Sequence, residues 1–504
     1  MARETQPQHA PVREGSPRRL EPIQKDIDQA RERKANPDLK TIKVTPLNIP
    51  GTGALFDITA VDDIDNATTL GGWRIAFVED LLPTYERKKQ TIPDIVKVRT
   101  KFIEDIYREI FTGNGAAIAA SGALEVSGLA SKMGFKHPGD GAIMRHSMAT
   151  AKGREIYPEE VRKVIEKNPQ AWLDSADMQG SKSLTIMSSK ELYRRMTPQQ
   201  RIQFVKQHAL HIKDLNDELS SRNTKVYTAP DMGTSPYEML IILASGITDK
   251  VACFPEIYGG SGDPSPVTAH AVANAAEGSL KALGKDGNKM TIAIPGAAGH
   301  VGQPLFRYYS EYYPGSRLIV ADVNDPEKIA IMKNMIAQHP NAAIIDKDAI
   351  FDKNQLWDKD HKEVLYSPCA RPEVLTEDSL EKAIEANVTV VCGAANSQFE
   401  VGKEEPLAQE WFDSEILVVP EMLANVGGVR SLRPQFFTGE RPEQRIVNAS
   451  IIDVLPMSED VTRESLRKNI TPQEEFNNRT LKEMARSGLR REVLYPAKTS
   501  ARRS

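Results

Sequence analysis

The sequence predicts an α/β protein of two domains, an N-terminal mixed α/β domain followed by a doubly wound parallel sheet. Three observations carry that expectation. At 504 residues the chain is too long for one compact domain, taking roughly 150 residues per domain as a soft prior. After Val267, short apolar runs rich in β-branched residues alternate with helical stretches, the pattern of buried parallel strands separated by helices. One of those strands leads into a glycine-rich turn, a helix, a second strand and an acidic residue.

Composition narrows the classes. Lys+Arg number 65 against 69 Asp+Glu, a formal charge of −4, so no excess of positive charge is available to hold a nucleic acid. The three cysteines, Cys253, Cys369 and Cys392, are too few and too far apart for a disulfide framework or a zinc site, which implies a reducing compartment and no metal. No apolar run reaches the roughly 18 residues of a membrane span, and the charged N-terminus is unlike a secretory signal. A cytoplasmic protein with no membrane partner is expected.

Along the chain, residues 1–50 hold seven prolines and no aromatic residue, and are expected to be a disordered or extended tail. Residues 51–258 form the first domain. Within it, 95–111 has the three-and-four spacing of a packed helix, 112–131 is a Gly/Ala/Ser-rich loop or close-packed helix, and 188–221 reads as two helices. The second of these opens with Thr197 as N-cap and Pro198 in the first turn. The second domain, 259–430, begins with a long helix ending at Gly284. It continues through strands at 290–295, 317–322, 363–366, 388–392 and 416–419, with helices from Val301 and Asp325 between them. Residues 431–504, highly charged and helical from Pro456, are expected to pack back on the domains along one face.

The chemistry-bearing unit is Met290-Thr-Ile-Ala-Ile-Pro295 followed by Gly296-Ala-Ala-Gly299-His300-Val301-Gly302 and a helix. Glycines in such a turn admit a pyrophosphate close to backbone N–H groups at a helix N-terminus. The spacing is GxxGxxG, and a ligand-free glycine turn is the alternative reading of the loop alone. The second strand sharpens the dinucleotide reading, because it ends in Asp322, 20 residues beyond Gly302, where a carboxylate can accept hydrogen bonds from ribose hydroxyls. The same carboxylate repels a 2′-phosphate, favouring NAD over NADP.

Several segments together resemble the glutamate/leucine/phenylalanine/valine dehydrogenase family, most closely its leucine and phenylalanine types. They are Gly260-Ser-Gly-Asp-Pro-Ser-Pro-Val-Thr-Ala269, the glycine turn with Asp322, Pro368-Cys369-Ala370, Gly393-Ala-Ala-Asn396-Ser-Gln398 and Pro420-Glu-Met-Leu-Ala-Asn425-Val-Gly427-Gly428. Upstream, Val226-Tyr-Thr-Ala-Pro-Asp231-Met-Gly233-Thr234 is similar to the family's catalytic aspartate segment. Gln179-Gly180-Ser181-Lys182 resembles its catalytic lysine segment, and Thr69-Leu-Gly71-Gly72-Trp73-Arg74 its substrate-domain glycine pair. The resemblance implies a substrate domain, a Rossmann-type NAD-binding domain, and reversible NAD-dependent oxidative deamination of an L-amino acid with an apolar or aromatic side chain. The products are a 2-oxo acid and ammonia, and the protein is expected to be a homo-oligomer. It also implies the sites: Lys182 and Asp231 as catalytic groups, and Gly72 and Asn425 at the substrate. Thr268, Gly296, Gly299, His300, Val301, Gly302, Asp322, Ala370, Gly393, Ala394, Asn396 and Asn425 would line the cofactor.

Bland readings stand beside these. Asp231 before Met-Gly-Thr suits a helix cap, Lys182 a surface lysine, Asn425 a turn, Thr268 a helix start, and His300 a solvent-facing position. Cys369 and Cys392 read as small buried side chains. The chain also departs from the family pattern. A lysine that binds the substrate carboxylate is expected about a dozen residues before Lys182, where Asn168-Pro-Gln170-Ala-Trp172 stands instead. Lys152, Arg154 and Lys167 are the nearby cations. This departure makes a catalytically impaired relative, acting as a nucleotide or amino-acid sensor or scaffold, the alternative function.

Overall fold

The computed structural model describes residues 40–47, 49–62, 67–79, 81, 122, 123, 159, 163, 179–337, 339–400, 403–438 and 451–486. The expected helix at 95–111, nearly all of the loop at 112–131, and Lys152, Arg154 and Lys167 lie outside them.

Strands β1 (Lys40–Pro46), β2 (Ala54–Asp62), β3 (Thr68–Phe77), β4 (Gln179–Met187) and β5 (Lys225–Pro230) form a sheet in the order β1-β2-β4-β3-β5. The β1–β2 and β2–β4 pairs are antiparallel, while β3 runs parallel to both β4 and β5. Strand β1 corrects the expectation that the tail extends to residue 50. Ile42 and Val44 alternate with polar residues, and the strand pairs along its whole length with β2, from Lys40↔Asp62 to Pro46↔Phe56. Charge and proline had masked a period-two pattern.

Helix α1 (Pro198–Leu219) covers one face of this sheet. It starts where expected, with a capping box in which the Thr197 hydroxyl accepts the Gln200 N–H and the Gln200 side chain accepts the Thr197 N–H. Phe204, Val205 and Ala209 are buried in a cluster with Trp73, Ile75 and Met187. Helix α2 (Pro236–Ala244) opens with a second capping box, between Ser235 and Glu238. The opposite sheet face packs Phe56, Ile58, Ala60, Ala76, Leu184 and Ile186 together.

The second sheet follows helix α3 (Ser265–Leu283), whose C-cap Gly284 has φ +66°. Its elements are β6 (Met290–Pro295), α4 (Gly302–Tyr312), β7 (Arg317–Ala321), α5 (Pro326–Ile336), β8 (Ala342–Ile344), β9 (Glu363–Tyr366), α6 (Glu377–Glu385), β10 (Val388–Val391), α7 (Glu404–Asp413) and β11 (Leu417–Val418). All pairs are parallel, in the order β11-β10-β9-β6-β7-β8. This is the doubly wound order, with strand direction of travel reversing between β6 and β9, where such sheets open a crevice at their carboxyl ends. The sheet is buried on both faces, by α3, α4 and the C-terminal helices on one side and by Trp411, Leu407 and Ala383 on the other.

Helices α8 (Gly427–Thr438), α9 (Val454–Lys468) and α10 (Pro472–Arg486) complete the described chain. Helix α9 turns Val454, Ser458, Val461, Thr462 and Ser465 inward against α3. The approach is close: a Cβ on Gly278 would lie 2.2 Å from the Leu455 carbonyl, and the Ser279 hydroxyl reaches both Ser458 (2.9 Å) and Thr462 (3.1 Å). A fully buried Arg430–Asp453 ion pair ties α8 to the start of α9. Among the described residues, no helix is long and apolar enough to cross a membrane.

Candidate functional site

Strand register brings Gly72, Lys182 and Asp231 together. Leu70 pairs with Gly180 and Trp73 with Ser183, so Gly72 is level with Lys182; on its other side Gly72 pairs with Ala229, two residues before Asp231. Lys182 is buried, and its Nζ forms an ion pair with Asp231 Oδ2. The Asp231 loop is stapled to β3 by hydrogen bonds. The Asp231 N–H donates to the Thr234 hydroxyl (2.8 Å), that hydroxyl donates to the Trp73 carbonyl (2.7 Å), and the Ile75 N–H donates to the Met232 carbonyl (2.9 Å). Asp231 Oδ1 accepts the Met232 N–H at 2.8 Å. Gly233 turns the loop with φ +83°.

Gly72 has a definite steric role here. A Cβ at this position would stand 2.7 Å from Asp231 Oδ2 and 2.8 Å from its Cβ, so only glycine lets the carboxylate cross the strand to reach Lys182. Asp231 is neither a helix cap nor freely solvated, and Lys182 is not on the surface.

Beneath these strands, on the α1 face, lies a polar network that sequence reading did not single out. The fully buried Asp57 carboxylate binds His208 Nδ1 (2.6 Å) and accepts from the Thr185 hydroxyl (3.2 Å). His208 Nε2 meets Thr228 Oγ1 at 3.0 Å, and the imidazole stacks on the Trp73 indole with centroids 3.9 Å apart. Trp73 Nε1 donates to Thr185 (2.7 Å), while His211 bridges Thr45 (2.7 Å) and Thr59 (2.8 Å), the latter bonded to Ser183 (2.8 Å). Each strand of the Gly72, Lys182 and Asp231 group thus carries a network member: Trp73, Ser183 and Thr228. Burial pushes the Asp57 carboxyl upward, but the facing charges of His208 and His211 and the hydrogen bonds outweigh it and hold it below the ordinary carboxylate value. Burial also lowers His211 to about 4. The signal was available as polar residues at alternate inward positions, Asp57 and Thr59 on β2 and Ser183 and Thr185 on β4, opposite a helix with His at i and i+3.

The second group surrounds the switch point of the parallel sheet. Gly296 leaves β6 with φ +84°, and a Cβ there would lie 2.7 Å from the Ala370 nitrogen, in the turn after β9. A Cβ on Gly302 would lie 2.2 Å from the Gly296 carbonyl, so this glycine lets α4 start tight against the turn. Gly299 meets only the Gly296 carbonyl, at 3.1 Å, leaving the outer side of the turn open. Val301 is the half-buried residue before α4, and His300 is exposed. His300 Nδ1 pairs with Asp263 Oδ2 at 3.1 Å, and that hydrogen bond raises the imidazole above its ordinary value.

Asp322 follows β7, but its carboxylate is largely covered and engaged. Oδ2 accepts the Ala298 N–H (3.1 Å); Oδ1 accepts the Val323 N–H (2.8 Å) and the Lys328 ammonium (2.8 Å). Lys328 and Asp263 are further residues that sequence reading missed.

The remaining expected residues converge on the same edge. Asn425 is buried, and its amide donates to the Ala394 carbonyl (3.1 Å) and to Asn396 Oδ1 (2.8 Å), so it braces the turn after β10. Gly393 in that turn packs against Pro368, whose carbonyl would be 2.2 Å from an added Cβ. The Thr268 hydroxyl donates to the Pro264 carbonyl (3.1 Å) and lies 2.8 Å from where a Gly428 Cβ would stand. Leu432 of α8 packs with Leu70 and Ala229, so the helix after Asn425 abuts the strands carrying Gly72 and Asp231. Burial raises the Cys392 thiol and pushes Cys369 up to about 12, as suits small buried side chains.

Residues 259–432 match the Glutamate/Leucine/Phenylalanine/Valine dehydrogenase family model. The chain is 30% identical over 235 residues to a leucine dehydrogenase of Bacillus subtilis, covering 45% of this chain and 58% of that protein. It is 27% identical over 221 residues to a phenylalanine dehydrogenase of Caldalkalibacillus thermarum, covering 44% and 55%. The chain therefore spans little more than half the length of these curated relatives. Among solved structures, a glutamate dehydrogenase from Thermus thermophilus aligns with TM-score 0.56 at 14% identity, over 95% of this chain and 97% of that one. The L-tryptophan dehydrogenase from Nostoc punctiforme aligns with TM-score 0.50 at 16% identity, over 88% and 96%. At such identities the likeness concerns the fold.

Proposed function

We propose that this chain, which through residues 259–432 belongs to the Glutamate/Leucine/Phenylalanine/Valine dehydrogenase family, catalyses reversible NAD-dependent oxidative deamination of an L-amino acid. The products are a 2-oxo acid, ammonia, a reduced dinucleotide and a proton, with one water consumed. Relatives named leucine and phenylalanine dehydrogenases favour an apolar or aromatic side chain. The observation that carries the reading is the Lys182–Asp231 ion pair, admitted by Gly72 and abutted by the helix after Asn425.

The glycine turn fits a dinucleotide, since Gly299 leaves its outer side open where backbone N–H groups and the start of α4 favour an anion. Gly296, Gly299, His300, Val301 and Gly302 would hold the pyrophosphate and Asp322 would lie at the adenosine ribose. Thr268, Ala370, Gly393, Ala394 and Asn396 would line the remainder. When bound, the dinucleotide supplies the acceptor for the hydride leaving the substrate Cα.

The chain's own groups handle protons and position. Asp231 exchanges a proton with the substrate nitrogen, because it is the half-exposed member of the pair. Lys182, buried and deprived of solvent, activates the water that adds to the substrate iminium carbon and polarises the resulting oxygen. Asn425, fixed through Ala394 and Asn396, links the substrate side to the cofactor turn. A cytoplasmic homo-oligomer belongs to the same reading; light scattering gives its mass.

The test is direct. Purified protein with NAD is offered leucine, valine, phenylalanine, tryptophan and glutamate in turn, and NADH absorbance is followed. Turnover of an apolar or aromatic amino acid, reversed by its 2-oxo acid with ammonia and NADH, is expected. Binding of NAD with silence toward every amino acid in both directions would overturn the reading in favour of a non-catalytic relative.

A further inference from the structure

An acidic residue at the end of the second strand discriminates against a 2′-phosphorylated ribose only while its charge is unbalanced and its oxygens face the ribose. The first condition does not hold at Asp322, whose charge is balanced by Lys328. Its carboxylate side chain is 5% exposed, and its two oxygens already take three donors: the Ala298 and Val323 N–H groups and the Lys328 ammonium. Lys328 is the third residue of α5, held there by Asp325, whose carboxylate caps the Glu327 and Lys328 N–H groups. Its own side chain is 37% exposed, so the ammonium that neutralises Asp322 keeps a solvent-facing side. The charge of Lys328 also acts on His300 of the glycine turn, opposing the rise that Asp263 causes there. Lys328 on α5 is thus tied to Asp322, which in turn holds the Ala298 N–H of the glycine turn.

We propose that Lys328 makes the adenosine-ribose end of this pocket accept a 2′-phosphate, so that the chain binds NADP as well as NAD. The ammonium donates to phosphate oxygens on its exposed side while its bond to Asp322 Oδ1 removes the repulsion that an unpaired carboxylate would exert. The inference rests on the reading that residues 290–322 hold a dinucleotide.

Dissociation constants for NAD and NADP are measured by calorimetry on the full chain, with wild type, Lys328→Met and Lys328→Gln, at two ionic strengths. Wild type is expected to bind the two dinucleotides within tenfold of each other. Both variants are expected to weaken NADP at least tenfold while leaving NAD within about threefold, and wild-type NADP binding should fall more steeply with salt than NAD binding. Circular dichroism of the variants should match wild type. Wild type binding NAD a hundredfold or more tighter than NADP would overturn this inference alone, as would equal weakening of both dinucleotides by the variants. Binding of neither would overturn the dinucleotide reading itself.

Discussion

Replacing Gly72 with alanine probes the steric basis of the site. The added Cβ would stand 2.7 Å from Asp231 Oδ2, 2.8 Å from its Cβ and 3.0 Å from its Cγ, whereas ordinary contacts begin near 3.4 Å. Asp231 must therefore retreat by about 0.7 Å from a carbon fixed in a paired strand, which displaces it relative to Lys182. Misplacement of a reacting group by about 1 Å costs on the order of 10²-fold in rate. The clash falls on a partly exposed side chain, so the cost in stability should sit near the low end of overpacking, about 1 kcal/mol. The assay compares kcat/KM for the amino acid that turns over best, the dinucleotide Kd and the thermal midpoint. Gly72→Ala is expected to lose about 10²-fold in kcat/KM, with Kd unchanged and the midpoint lowered by a few degrees. A variant within threefold of wild type would refute the claim that Gly72 exists to admit Asp231.

Three further outcomes follow from buried and paired charges. His211 titrates near 6.5 when unfolded but near 4 when folded, so stability is full above about pH 6.5 and declines as pH falls toward 4, by up to about 3 kcal/mol. Asp57, held low, adds a further loss only below the ordinary carboxylate value; urea midpoints measured from about pH 7.5 to about pH 3 should fall along this course. His300 is raised by Asp263, so its positive charge persists to higher pH than usual; dinucleotide affinity should weaken as pH rises through that value, and His300→Gln should flatten the profile in titrations. Asp453→Ala leaves the buried Arg430 guanidinium without this carboxylate and should cost about 3–5 kcal/mol in chemical unfolding, with Asp453→Asn less severe.

The parallel sheet was legible because its signals are local. Continuous apolar runs mark β6, β7 and β9, Gly284 marks a helix end, and the turn glycines Gly296 and Gly302 sit where a Cβ would strike backbone. Strand β1 was lost in the tail because its alternation spans only seven residues beside prolines. The polar network was not legible, since Asp57 and His208 lie 151 residues apart and meet only through the antiparallel β2–β4 pairing and the packing of α1. Likewise, Gly72 and Asp231 each carried a motif, but the steric tie between them comes from the β3–β5 register. Lys328 is one lysine in the first turn of a helix, and only the fold turns it onto Asp322.

The central claim is that Lys182 and Asp231 form the chemical centre, separate from the dinucleotide turn. It is tested by measuring turnover and dinucleotide Kd together for Asp231→Asn and Lys182→Met. The account predicts a loss of turnover of at least about 10³-fold in each variant, with Kd within twofold of wild type. Turnover retained within tenfold in both, in protein that still binds the dinucleotide, would contradict it.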